Sequence, residues 1–170
     1  MLNVAIIGAG AITRRGHLPA LKTLPNVNVI AIADINEEIA KKVAKEFEIP
    51  HYYTNYKEML SREKVDAVHI CTPTPTHYEI AKYCIETGHH VLIEKPMCMR
   101  LREAIELKEL AKENKVIVGI VYNYRYFPSV LRALLRVKKG YLGNIVSLNG
   151  TCFSHFPIAW TRSTWLYHED

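Results

Sequence analysis

The sequence predicts an α/β protein: a doubly wound parallel sheet, followed by the start of an α+β domain with an antiparallel sheet. Three observations predict it. Between residues 2 and 121, six short apolar segments alternate with segments of helical period, the grammar of parallel strands joined by crossover helices. The first apolar run, at 3–7, ends in Gly8-Ala9-Gly10 and passes into a helical pattern. Beyond Tyr122 the grammar changes to one helical stripe and one alternating strand.

The first run is short and β-branched, as suits a strand buried on both faces. Gly8 lets the chain turn sharply off the strand tip. Gly10 has no side chain, so an anion can approach the backbone, and the helix opening at Ala11 and Ile12 turns free N–H groups towards it. This is the opening of a dinucleotide-binding βαβ unit, although a plain tight turn has the same spacing. Thr13 replaces the third glycine of the pattern, where helix and strand must pack closely. A helix is predicted to residue 24, interrupted by Pro19. Arg14 and Arg15 in its first turn oppose the helix dipole, so either a negative group lies nearby or water solvates them. The second strand, 27–34, ends in Asp34, 24 residues beyond Gly10, against the ~20 of the dinucleotide pattern. A carboxylate there accepts hydrogen bonds from a ribose 2′-hydroxyl and repels a 2′-phosphate, which favours NAD over NADP. The alternative for Asp34 is a solvated acid capping the next helix.

Asn36 is placed to cap a helix to Phe47, with Ile39, Ala40, Val43 and Phe47 on its inner face. Pro50 ends that unit, and a strand at 51–53 and a helix at 56–60 follow. The strand at 65–70 runs into Cys71-Thr72-Pro73-Thr74-Pro75-Thr76-His77, a loop stiffened by two prolines at a strand's C-terminal end. A helix at 78–87 stops at Gly88. The strand at 90–93 ends in Glu94-Lys95-Pro96. A helix at 101–114, with Leu101, Ala104, Ile105 and Ala111 on one side, leads to the strand at 116–121. Past it, Phe127, Val130, Leu131 and Leu134 form a helical stripe that opens at Pro128 and closes on Arg136, Lys138, Lys139 and Gly140. Residues 145–153 alternate, with Val146, Leu148 and Cys152 on one face, as a half-buried antiparallel strand does. The expected domains are therefore 1–122 and 123–170, the latter the beginning of a second domain.

Composition narrows the function. The 170 residues carry a net charge of +5, and the basic residues are interspersed with acids, as on solvated helix faces. No basic run carries interleaved aromatics, so nucleic acid is not an expected partner. The four cysteines form no Cys-x-x-Cys pair and the histidines show no ligand spacing, so no metal site is expected. No apolar run approaches the ~20 residues of a membrane span. The N-terminus reads as a strand rather than a leader, so a cytoplasmic protein with free thiols is expected.

Glu94-Lys95-Pro96 places a lysine at a strand tip over the sheet edge. A lysine beside a carbonyl can orient the reacting oxygen or relay a proton; the alternative is a surface lysine in a turn. At these residues the sequence resembles the glucose–fructose oxidoreductase / inositol dehydrogenase (Gfo/Idh/MocA) family. The resemblance is carried by Gly8-Ala9-Gly10 with residues 14–21, by Asp34, by Thr72-Pro73 with His77, by residues 88–96, and by Asn123-Tyr124-Arg125-Tyr126-Phe127-Pro128. It implies an NAD(P)-binding Rossmann domain and hydride transfer between the nicotinamide and a sugar, polyol or related carbonyl compound. It implies that Lys95 is catalytic and that Glu94 contacts the nicotinamide ribose side. Thr72, Pro73 and His77 would line the cofactor groove. Asn123 and Arg125 would stand at the cofactor–substrate junction, with an interdomain ion pair as the alternative for Arg125.

The sequence departs from the family in one respect. The later glycine-rich segment with spaced Asp and His is absent from these 170 residues. Trp165 resembles the tryptophan before that segment, but Leu166 follows where arginine is common; His155 and His168 lack a matching context. The expectation is a complete cofactor domain and the first part of a substrate domain. Such a chain would bind cofactor without turnover and associate as a homo-oligomer through the strand at 145–153. The alternative to an oxidoreductase is a non-catalytic NAD-binding module. A methyltransferase ranks third, since it gives no reason for Glu94-Lys95-Pro96.

Overall fold

The computed structural model describes residues 1–151. Strands β1 (Leu2–Ile7), β2 (Val27–Ala33), β3 (His51–Tyr53), β4 (Ala67–Ile70), β5 (His90–Ile93) and β6 (Val118–Ile120) form one sheet in the order β3-β2-β1-β4-β5-β6. Every pairing is parallel. The strand order reverses between β1 and β4, which opens a crevice at the C-terminal strand ends.

Helices cover both faces. They are α1 (Leu18–Lys22), α2 (Glu37–Phe47), α3 (Tyr56–Arg62), α4 (His77–Glu86) and α5 (Leu101–Glu113). Alternation along β1 divides the core in two. Ala5 and Ile7 join Met59, Ile80, Ala81, Ile85 and Leu107 on the side of α3, α4 and α5. Val4 and Ile6 join Leu18, Leu21, Val43 and Ala44 on the side of α1 and α2. A strand buried on both faces has no polar side, which is why β1 reads as an apolar run from Val4 to Ile7.

The first helix is continuous from Ala11 and contains a π-type turn at Thr13–His17, closed by Leu18 N–H donating to the Thr13 carbonyl. Pro19 does not interrupt it. The proline follows directly on the π-type turn, whose wider i→i−5 bonding already interrupts the regular i→i−4 ladder at that point. Asn36 caps α2 as expected, its side chain accepting from Ile39 N–H at 3.1 Å.

Two helix faces differ from the sequence reading. In α2, Ile39 is exposed and Ala44 is buried in its place. In α5, Leu101 and Ile105 are exposed at 78% and 55%, while Leu107 is fully buried. The inward side of α5 is a second, overlapping apolar stripe, Ala104, Leu107, Leu110 and Ala111. The Glu103 carboxylate caps the helix start, accepting the N–H groups of Met99 and Arg100 at 3.2 and 3.1 Å.

The chain divides into two compact units, Met1–Val121 and the residues from Tyr122 on. The second begins with a 3₁₀ turn, Asn123–Tyr126, and helix α6 (Pro128–Lys138). The predicted strand at 145–153 falls partly outside the described residues, which end before 152. Residues 145–151 form no strand pairing among the described residues. Alternation supplies a face but not the neighbouring strand that a ladder needs. Cys152, His155, Trp165, Leu166 and His168 also lie outside the described residues.

The corrected α5 face predicts opposite outcomes for two substitutions. Leu107→Ala should cost about 2–5 kcal/mol of stability, whereas Ile105→Ala should change it by less than about 0.5 kcal/mol. Urea denaturation of the two variants checks this.

Candidate functional site

Four loops meet at the C-terminal ends of β1, β2, β4 and β5. Gly8 has φ +95°, and a β-carbon built there would lie 2.7 Å from the Cys71 carbonyl oxygen. Only glycine fits this close approach of the β1 and β4 tips. Gly10 differs, since a β-carbon there would meet no atom within 4 Å. Its open side faces space that a ligand backbone can use. Ala11 and Ile12 open the helix, so their N–H groups have no intrahelical partner.

Thr13 replaces the third glycine by a different device. It is fully buried, and its hydroxyl donates to the Gly8 carbonyl at 2.6 Å. Close packing is kept by a hydrogen bond instead of by a missing side chain. The negative group near Arg14 is the Glu46 carboxylate, 2.7 Å from Nη2. Both side chains are well exposed, so the pair adds little stability.

Asp34 follows β2 and ties two loops together. Its Oδ2 accepts Ala9 N–H at 2.8 Å and its Oδ1 accepts Asn36 N–H at 2.9 Å. The carboxylate is thereby fixed beside the glycine turn, and each oxygen keeps lone pairs for a further donor.

The Thr72-Pro73 loop continues into a 3₁₀ turn, Thr74–Thr76. The Thr76 hydroxyl lies 2.8 Å from both Thr72 Oγ1 and the Pro73 carbonyl. His77 does not line the groove as expected. Its ring is buried, with Nε2 2.8 Å from the Thr72 carbonyl and Nδ1 2.9 Å from the Pro96 carbonyl. It braces two loops from beneath.

Glu94 is buried directly after β5, and Lys95 beside it is exposed. Glu94 Oε2 accepts the Lys95 backbone N–H at 3.1 Å. Burial pushes the Glu94 carboxyl up. The hydrogen bond and charge of His17, then the N–H and charge of Lys95, outweigh it and hold the carboxyl below its usual range. His17 Nε2 is 2.9 Å from Glu94 Oε1, and His17 Nδ1 is 2.9 Å from His69 Nδ1. Burial, then the His17 ring, push His69 down from 6.5 to about 4. The Cys71 thiol is pushed up to about 12, chiefly by burial, and is inert.

The sequence reading missed His17 and His69. The available signal was a histidine inside each of two segments otherwise read as buried, since a buried imidazole needs partners. Asn123 and Arg125 lie on the 3₁₀ turn of the second unit, both exposed.

A strand, a glycine turn and a helix, with an acid after the next strand, at a switch point of parallel strands, form a dinucleotide site. Comparison with known proteins agrees. Residues 2–122 match the Gfo/Idh/MocA model, described as an oxidoreductase family with an NAD-binding Rossmann fold. The chain belongs to this family. It is 38% identical over 144 residues to an uncharacterized oxidoreductase of Synechocystis, covering 85% of this chain and 38% of that protein. It is 30% identical over 167 residues to glucose-6-phosphate 3-dehydrogenase of Bacillus subtilis, covering 97% and 46%. Among solved structures, myo-inositol 2-dehydrogenase from Lactobacillus plantarum superposes with a TM-score of 0.77 at 31% identity, covering 85% of this chain and 43% of that one. The chain thus spans less than half the length of these relatives. No helix among the described residues is long and apolar enough to cross a membrane, and no cluster of three potential metal ligands occurs among them.

The two glycines should separate on substitution. Gly8→Ala should lower the unfolding midpoint, since the β1 or β4 tip must shift. Gly10→Ala should leave that midpoint nearly unchanged and weaken NADH binding. Thermal unfolding with calorimetric titration reads both.

Half-buried His69 and buried Glu94 also set an acid limit. His69 is neutral when folded and gains a proton when unfolded over the window from 6.5 down to about 4. Its contribution is complete above the upper value and is lost as pH falls through the window. Glu94, held low, acts with the same sign. Denaturation at about pH 7 and about pH 5 should show the loss, and His69→Phe should flatten it.

Proposed function

We propose that this chain is the cofactor-binding part of a nicotinamide-dependent dehydrogenase that transfers a hydride between NAD and a sugar, polyol or related carbonyl compound. The observation that carries it is the meeting, at one sheet edge, of the Gly8 turn, the Asp34 carboxylate fixed by Ala9 N–H, and the exposed Lys95 at the β5 tip. The relatives named for sugar and inositol dehydrogenation support the substrate class.

The nicotinamide, when bound, accepts or donates the hydride. Gly8, Gly10, Ala11 and Ile12 would admit its pyrophosphate, with Asp34 on the adenosine ribose. Thr72 and Pro73 would flank the dinucleotide, and His77 would hold their loop in place. Glu94 would fix the backbone of Lys95. Lys95 would orient the substrate oxygen and take or return its proton, so that hydride and proton leave an alcohol together and a carbonyl remains. Asn123 and Arg125 are proposed to stand at the cofactor–substrate junction.

The proposed domains are 1–122 for the dinucleotide and 123–170 for the start of a substrate and subunit-contact domain. The division into compact units between Val121 and Tyr122 supports this boundary. The apolar stripe Val130, Leu131 and Leu134 of α6, exposed in this chain, supports a homo-oligomer. Free cysteines at Cys71, Cys84 and Cys98 support a cytoplasmic setting.

Calorimetry tests the cofactor reading. NADH should bind more tightly than NADPH, and Asp34→Ser should narrow the difference. Equal affinities in the unmodified chain would refute it. In any preparation that oxidises a sugar or polyol, Lys95→Ala should lower turnover ~10²–10⁴-fold with little change in NADH affinity.

A further inference from the structure

The buried line His69–His17–Glu94 is not needed to make the dinucleotide groove. Its members come from three elements: β4, the π-type turn before α1, and the residue after β5. The rings of His17 and His69 meet edge-on, at 76° with centroids 5.1 Å apart. At one end, Glu94 Oε2 takes the Lys95 N–H. At the other, His69 is partly exposed.

Proton counting restricts this line. An ionised carboxylate only accepts, so His17 Nε2, 2.9 Å from Glu94 Oε1, must carry a proton. One further proton lies between the two Nδ1 atoms, 2.9 Å apart. If it belongs to His69, both rings are neutral. If it belongs to His17, that ring is a cation and His69 carries its own proton on Nε2. Other ionisable groups acting on this end of the line are the Lys95 ammonium, which favours the Glu94 charge, and the neutral Cys71 thiol.

We infer that His17, backed by His69, is a positioning residue for the Lys95 tip. It orients the Glu94 carboxylate so that the second oxygen fixes the Lys95 backbone. The inference rests on the reading of Lys95 as the residue that meets the substrate.

Nitrogen-15 spectra of the histidine rings, recorded on this chain between about pH 5 and pH 8, test the pairing. His17 Nε2 should stay protonated throughout, and the two Nδ1 atoms should show coupling through a hydrogen bond. A bare His17 Nε2, or no coupling, would overturn it. Amide exchange at Lys95 tests the positioning without any cofactor. His17→Leu should speed that exchange about tenfold, the scale of one hydrogen bond to a charged group. His17→Gln, whose amide can still donate to Glu94, should restore most of the protection. Equal exchange in both variants and the unmodified chain would overturn the positioning role.

His69→Phe leaves the Glu94 contact and removes the Nδ1 partner of His17, so Lys95 exchange should rise above that of the unmodified chain. Unchanged exchange would overturn the part assigned to His69. Should His17→Leu fail to fold, the Gln variant and the ring spectra still decide. Should the unmodified chain not bind NADH, the cofactor reading fails, and the spectra and Lys95 exchange still decide this one.

Discussion

The carbonyl of Cys71 leaves no room for a β-carbon at Gly8. That contact sits where β1 and β4 end side by side, at the reversal of the strand order. Because the strands are parallel, their C-terminal ends all open on the same edge. The glycine turn, the acid after β2, the Thr72-Pro73 loop and the Glu94-Lys95 tip are therefore neighbours without any of them being neighbours in sequence. Gly8 N–H donates to the Ala33 carbonyl at 2.8 Å, and Ala9 N–H goes to the acid that follows. The turn that admits a ligand is itself held by the residue that would recognise the ribose. A dinucleotide site of this kind is the exit geometry of a parallel sheet, sharpened by one glycine.

The second constraint is electrical. Glu94 is buried at the tip of β5, and a carboxylate taken out of water must find donors or give up its charge. Here a histidine and a backbone N–H supply them, and His69 in turn satisfies the far side of that histidine. The π-type turn bears on this supply. The extra residue in the turn changes the phase of the helix, and His17 is its last residue. Thr13 opens the same turn and closes it onto Gly8 through its hydroxyl. The position that breaks the glycine pattern thus begins the local distortion that ends at the buried histidine.

Much of this was legible in the sequence. Strand tips announce themselves through apolar runs cut off by glycine, acid or proline, and Gly8, Asp34, Thr72 and Glu94 were each found that way. The register of an amphipathic helix was less legible where two apolar stripes overlap, as that of Leu101 and Ile105 does with that of Leu107 and Leu110 in α5. Buried polar partnerships were illegible. His17 and His69 are 52 residues apart, and nothing in the order of residues brings their Nδ1 atoms together. His77 was placed in the right loop with the wrong aspect, because a histidine written beside a groove motif does not say whether its ring faces the groove or the carbonyls beneath it.

The contrast between α6 and residues 145–151 has the same root. Both carry a clear apolar pattern, and only the helix is formed among the described residues. A helix closes its hydrogen bonds within its own segment, so Phe127, Pro128 and the stripe behind them suffice to start and continue it. A strand keeps every backbone group for a neighbour, and its alternation states only which face would be covered if the neighbour came. β1 shows the other outcome: it pairs on both edges with strands far along the chain, and its run from Val4 to Ile7 is correspondingly apolar. Sequence pattern is therefore sufficient for a helix and merely permissive for a strand, so the parallel sheet was readable only because six permissive segments recurred at the spacing that lets each supply the next.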